Sequence, residues 1–121
     1  MRILADTSVW VDHLRSGNAA LEAALENGDV ITHPFVIGEL ACGNLRDRRV
    51  LLGLLDALPS APVATSAEAL GFIEHRLMGR GIGYVDVHLL ASALLAGDAR
   101  LWTLDRRLAA IASALKLAAR I

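Results

Sequence analysis

Cysteine, proline and aromatic residues are scarce in this 121-residue sequence, which has one Cys, three Pro and an aromatic fraction of 4%. A lone Cys42 excludes an internal disulfide framework. A Cys/His zinc site is not expected either, because His13, His33, His75 and His88 show no metal-ligand spacing. Long uncharged runs are also missing. Stretches such as Val87 to Gly97 fall well short of the roughly 20 apolar residues of a membrane span. Asp6 interrupts the first apolar run and no signal-like stretch follows it, so the expectation is a cytoplasmic protein with no membrane partner. An excess of charge of one sign is absent too. The net charge is −1, which excludes holding nucleic acid by bulk charge. Lysine is nearly missing: of 12 basic residues all but Lys116 are arginine. Arginine suits bidentate phosphate contacts, although a GC-rich genome gives the same bias.

Hydrophobic residues make up 55% of the sequence and charged residues 21%, with a mean hydropathy of +0.47. Disorder is therefore excluded, and the length gives one domain over residues 1–121.

The apolar runs and breakers alternate along the chain. Arg2 to Ala5 reads as a strand ending at Asp6, and Thr7-Ser8 can cap a helix from Val9 to Arg15 that Gly17 stops. Ala19 to Glu26 is a second helix and Val30-Ile31-Thr32 a second strand. Pro34 opens a helix through Ala41. Leu45 to Leu58 reads as a helix with Leu51, Leu54, Leu55 and Leu58 on one stripe. Pro62-Val63-Ala64 is a weak strand. The Thr65 to Glu68 capping box precedes a helix whose apolar face is Leu70, Ile73 and Leu77. Gly79, Gly81 and Gly83 mark a link, and Asp86 to Ala96 is a very apolar helix. Leu101 to Leu104 is a strand, Asp105 caps a helix carrying Leu108, Ile111 and Leu115, and a short last strand falls near Leu117-Ala118. Strands alternating with helices predict an α/β fold with a mostly parallel sheet. In such folds ligands bind at the carboxyl ends of the strands.

Four of the 13 acidic residues stand out of place. Asp6 and Asp105 end strands, while Glu39 and Asp86 lie among aliphatic residues in helices expected to pack on the sheet. A carboxylate among aliphatics is expensive unless it is paired or binds a cation. Each has an ordinary explanation alone: Asp6, Asp105 and Asp86 as helix caps, and Glu39 as the partner of Arg46 or Arg48. Together they can meet at one end of the sheet. An oxygen-only ligand set of that kind calls for Mg²⁺ or Mn²⁺. Ser8 and Thr103 stand close enough in sequence to hydrogen-bond these carboxylates or a bound water.

The segments Ile3-Leu4-Ala5-Asp6-Thr7-Ser8, Ile37-Gly38-Glu39-Leu40, Gly81-Ile82-Gly83-Tyr84-Val85-Asp86 with Leu90-Ala91-Ser92-Ala93, and Leu101-Trp102-Thr103-Leu104-Asp105 resemble the PIN-domain ribonucleases, in order and spacing, over nearly the whole chain. Among these they are most similar to the VapC-type toxins of bacterial toxin–antitoxin pairs. The resemblance implies an α/β/α sandwich, a Mg²⁺-dependent endoribonuclease activity and inhibition by a cognate antitoxin. By the same resemblance Asp6, Glu39 and Asp86 match the metal-binding acids and Asp105 the more variable fourth. Arg106-Arg107-Leu108 stands here where many relatives carry an aromatic residue.

The chemistry implied is hydrolysis of an RNA phosphodiester by metal-activated water, with Asp6, Glu39, Asp86 and Asp105 as ligands and Arg80, Arg106 and Arg107 as the arginines nearest for flanking phosphates. The high mean hydropathy points to a homodimer and to an antitoxin segment lying over the helices. The competing class is a phosphoacceptor or non-catalytic Mg²⁺-binding regulatory domain. A phosphoacceptor needs an acidic pair after the first strand and a nearby lysine, whereas Asp6 stands alone and Lys116 is remote in sequence.

Overall fold

The computed structural model describes residues 1–121. Strand β1 (Arg2–Ala5) leads into helices α1 (Thr7–Ser16) and α2 (Ala19–Glu26), then β2 (Val30–Ile31), α3 (Pro34–Ala41), α4 (Arg48–Ala57) and α5 (Ser66–Phe72). A π-helical turn (Ile73–Leu77) extends α5, and α6 (Tyr84–Ala96), β3 (Ala99–Trp102) and α7 (Arg106–Ala114) complete the chain. The sheet order is β2-β1-β3, with both pairs parallel. From β1 one crossover runs to β2, and the next returns past β1 to β3. Parallel crossovers are almost always right-handed, so two that run in opposite directions place their helices on opposite faces. The result is the expected α/β/α sandwich. The order reverses beside β1, which makes the carboxyl end of β1 the place for a ligand.

Both faces of the sheet are covered, so neighbouring strand residues are buried together. Leu4, Ala5, Val30, Ile31 and Leu101 are almost completely buried and meet Val9, Leu21, Leu89, Leu90 and Leu108 from the helices. Helix α6 is apolar all round and buries seven residues in a row from Val87 to Ala93, which is the behaviour of an internal helix.

Several boundaries move from their expected places. Helix α1 starts at Thr7 because Asp6 itself is its cap. The helix expected from Leu45 starts at Arg48, because Asp47 sits in the left-handed region (φ 51°) and so interrupts any helical run before it. No strand forms at Pro62–Ala64. The sheet instead gains a single parallel bridge from Thr32 to Ser60, held by the Thr32 N–H to the Pro59 carbonyl and the Ala61 N–H to the Thr32 carbonyl. Pro62, without an N–H, cannot continue it. The strand expected at Leu101–Leu104 lies at Ala99–Trp102, in register with Arg2–Ala5, and Leu117-Ala118 contributes one bridge to Leu101. The stripe expected at Leu70, Ile73 and Leu77 is not one buried face: α5 buries Ala69 and leaves Leu70 exposed, and Leu77 is buried at the end of the π-helical turn. No helix is long and apolar enough to cross a membrane.

A file of rings ties α3 to α6. His33, wholly buried, caps α3 by accepting the Phe35 N–H on Nδ1 at 3.0 Å. Edge-to-face contacts then run from His33 to Phe35 (4.9 Å between centroids), Phe35 to His88 (4.8 Å) and His88 to Tyr84 (4.6 Å). Burial first, and then the neighbouring His88, push the His33 imidazole down to about 4. The folded protein thus holds a neutral ring, while the unfolded chain protonates near its ordinary value of about 6.5. Stability from this group is complete above pH 6.5 and is lost as pH falls toward 4. Urea unfolding of the wild type is expected to lose about 2–3 kcal/mol from this source between pH 7 and 4.5. His33→Asn keeps an acceptor for the cap and should remove most of that dependence. Equal pH dependence in both proteins would refute the assignment.

Candidate functional site

The carboxyl end of β1 delivers Asp6, which is 6% exposed. Its Oδ1 caps α1 by accepting the Val9 N–H at 3.3 Å and also accepts the Ser8 hydroxyl at 2.5 Å. The Ser8 Oγ in turn accepts the Leu104 N–H at 2.9 Å and lies 3.4 Å from the Thr103 Oγ1. Thr103 accepts the Asp105 N–H at 3.0 Å, and the Asp105 carboxylate caps α7 through the Leu108 N–H at 2.9 Å. A short relay of hydroxyls and amides therefore joins the ends of β1 and β3 and sets the positions of two acids. Asp6 and Asp105 are caps, as their ordinary explanation has it, and they face the same place as well.

Helix α3, opened by Pro34, carries Glu39 on an exposed turn, where Oε1 accepts the Thr7 hydroxyl at 2.6 Å. Thr7 was not singled out from the sequence. The available signal was a second hydroxyl directly after Asp6. The suggested pairing of Glu39 with Arg46 or Arg48 does not form: Arg48 donates to the Ala41 carbonyl at 3.0 Å, and the only ion pair in the chain is Arg2–Asp98 at 2.7 Å. Asp86 is not a cap either. Helix α6 begins at Tyr84 after Gly83, which leaves Asp86 half-buried in the first turn.

Asp86 reports on the whole group. Its carboxyl is raised above the ordinary range, first by burial and then by the negative charges of Asp6, Asp105 and Glu39, with the Gly83 N–H opposing. Four carboxylates thus lie close enough for three to act on the fourth, and no arginine or lysine neutralises them. They are not drawn up as a closed cage, since no three side chains of His, Cys, Asp or Glu stand at ligand-sharing distance. The donor set is all oxygen, which fits a hard divalent ion such as Mg²⁺ or Mn²⁺ and not a soft one.

The three arginines named from the sequence are exposed beside this end of the sheet's helices. Arg106 and Arg107 open α7 directly after Asp105. Arg107 donates to the Gly81 carbonyl at 3.1 Å and so clamps the glycine link that leads into Asp86. Gly81 has a φ of +73°, and an added Cβ would stand 3.2 Å from the Arg107 guanidinium, so a side chain there would strain the backbone and push on the clamp. Arg80 has no side-chain partner.

Neutralising Asp86 removes repulsion without opening a cavity. In EDTA, Asp86→Asn is expected to melt at the wild-type temperature or up to a few degrees higher, for about 1 kcal/mol. Divalent ion should raise the wild-type Tm, by binding only the folded state, and should raise that of the variant much less. A clear drop for Asp86→Asn in EDTA, with no ion effect on the wild type, would instead mark a structural charge network.

The sequence model of the PIN domain matches residues 3–114. The chain is 50% identical over 109 residues to proteins named Ribonuclease VapC32 from two strains of Mycobacterium tuberculosis, an alignment that covers 89% of this chain and 88% of theirs.

Proposed function

The chain belongs to the PIN domain family, and from that premise we propose that it is a metal-dependent endoribonuclease, the toxin of a toxin–antitoxin pair. The observation that carries this reading is the half-buried Asp86, raised first by burial and then by three other carboxylates, with no basic side chain paired to any of the four. Such an arrangement is unfavourable as it stands and becomes favourable with a divalent ion. The name Ribonuclease borne by the relatives supports RNA as substrate.

Asp6, Glu39, Asp86 and Asp105 would hold Mg²⁺, or Mn²⁺ in its place. When bound, the ion supplies a water of lowered pKa and a counter-charge for the phosphoryl and leaving oxygens. The chain's own residues do the rest. Ser8 fixes the Asp6 carboxylate and Thr7 fixes Glu39, which keeps both ligands from rotating away. Thr103 and the α7 cap fix Asp105. Arg80, Arg106 and Arg107 hold flanking phosphates of the strand being cut. A single-stranded segment is the substrate, because side chains cannot read the deep groove of an RNA duplex. The phosphoacceptor alternative lacks its lysine: Lys116 lines a cleft that none of the four acids touches.

The apolar surface supports the partners. Val50 and Leu54 of α4 and Leu70 of α5 are 59–64% exposed, apolar side chains left bare on the segments where a partner is expected. We assign these helices to a symmetric homodimer and to the antitoxin, whose segment would lie over them and reach a basic side chain toward the acids. The protein then works in the cytoplasm, where its RNA is.

Purified protein is expected to cut total RNA with Mg²⁺ or Mn²⁺ and to stop in EDTA. Asp86→Ala should lower the rate at least about a hundredfold, the loss of several kcal/mol of charge stabilisation. Cleavage that persists in EDTA, or a fully active variant, would defeat the proposal. Light scattering at tens of micromolar should return the mass of a dimer, and a monomer would remove that part of the reading.

A further inference from the structure

A large hollow in the molecule lies away from the acids. It lies at the other end of the sheet, a cleft of about 930 Å³ whose floor includes Ile3 of β1 and Ala118 and whose charged lining is Arg100, Lys116, Arg120 and Asp29. Ile3 precedes Asp6 by three residues, so the cleft and the acids are roughly 10 Å apart along the strand direction. Three basic side chains against one acid give the lining side chains a charge of +2 in a chain whose total is −1. None of the three cations is in an ion pair.

Two of them stand where their chemistry is out of place. Arg100 lies inside β3, paired in register with Ile3, and is half-buried. An aliphatic residue there would close the sheet face, and arginine is uncommon at half-buried strand positions. Its Nη1 reaches only the carbonyl of Ala99, at 2.9 Å. Lys116, the chain's one lysine, occupies the left-handed position (φ 60°) that ends α7. The Lys116 N–H bonds the Ser113 carbonyl at 3.0 Å and the Leu117 N–H the Ala112 carbonyl at 2.8 Å. This is the helix-ending motif in which glycine is usual. A lysine held there at a cost in backbone strain is a pointer to function.

We infer that this cleft is a phosphate-binding site, separate from the acid cluster. Three cations spread around one hollow match a polyanion better than a single carboxylate, and the guanidinium fork fits phosphate oxygens in pairs. The shared chemistry is a run of phosphates, supplied by an RNA backbone or by a free nucleotide. The inference does not require that the acids cut RNA.

The single lysine gives the test a local probe. Protein labelled with [¹⁵N]lysine shows one lysine backbone amide, that of Lys116. In metal-free buffer, where no turnover occurs, it is titrated with inorganic pyrophosphate, ATP, octauridylate or octaglutamate. The resonance is expected to move saturably with phosphate ligands and not with octaglutamate. Movement with pyrophosphate and ATP marks a nucleotide site, and movement with octauridylate alone marks an RNA backbone site. Arg120→Gln, at an exposed position, should weaken binding about threefold or more, and Arg100→Gln with Arg120→Gln more than about tenfold. With RNA the salt slope should fall by about one for each cation removed. Circular dichroism checks the folding of the double variant, and Arg120→Gln alone carries the test if it unfolds. A resonance unmoved by every phosphate ligand, equally moved by octaglutamate, or indifferent to Arg120→Gln overturns the inference. Because the readout is binding without metal, its failure is distinct from a failure to cleave.

Discussion

Repulsion among four carboxylates at one end of a parallel sheet is the constraint on which the rest of this molecule depends. Asp86 feels Asp6, Asp105 and Glu39 at once, and nothing basic offsets them. Left to themselves, side chains in this position would rotate apart into water. The structure prevents it with neutral donors. Hydroxyls of Thr7 and Ser8 hold Glu39 and Asp6, and backbone amides at the starts of α1 and α7 hold Asp6 and Asp105. Donors of this kind fix a carboxylate without neutralising it, which leaves its charge available to a cation.

The topology makes the convergence possible. With the order β2-β1-β3, the chain leaves β1 and β3 at adjacent points, so Asp6 and the Thr103–Asp105 turn become neighbours although far apart in sequence. The other two acids arrive on helices, and the positions of those helices relative to each other must be kept. The ring file from His33 through Phe35 and His88 to Tyr84 does this, linking the start of α3 to the first turns of α6. The Nε2 of His33 and Nδ1 of His88 are buried without partners, consistent with the lowered His33.

Much of this was legible in the residues, because the strongest signals are local. Pro34 opens α3, the Thr65–Glu68 capping box forms both of its bonds, and Asp6 and Asp105 cap as hydroxyl-sized acceptors before helices do. The four acids were found because each broke the expected polarity of its surroundings. What escaped depends on pairing at a distance. The apolar run Leu101–Leu104 suggested a strand two residues late, since Ala99 and Arg100 become strand only through their partners Arg2 and Ile3. The π-helical turn at Ile73–Leu77 has no signature in a 3.6-residue pattern. Thr7 looked like any helix start until Glu39 was brought to it from 32 residues away. Arg100 gave no sign and Lys116 stood out only as the one lysine, because their company is assembled by the sheet and by the turn after α7.

Opposite charges in this chain are nearly equal in number, 13 acidic and 12 basic, yet a single ion pair forms. The balance is global and the imbalance local. The acids gather at the carboxyl ends of the strands and an unpaired basic cleft lies at the amino ends. A separation of roughly 10 Å is about one screening length at physiological salt, so the two ends neither neutralise each other nor strongly interact. The cost of keeping them apart falls on the half-buried Asp86 and Arg100, which have no charged partner, while Glu39, Asp105, Lys116 and Arg120 stay exposed to water. Keeping the sets apart leaves one end of the sheet short of a cation and the other short of an anion. An extended phosphate polymer accompanied by divalent ions carries both of the missing charges.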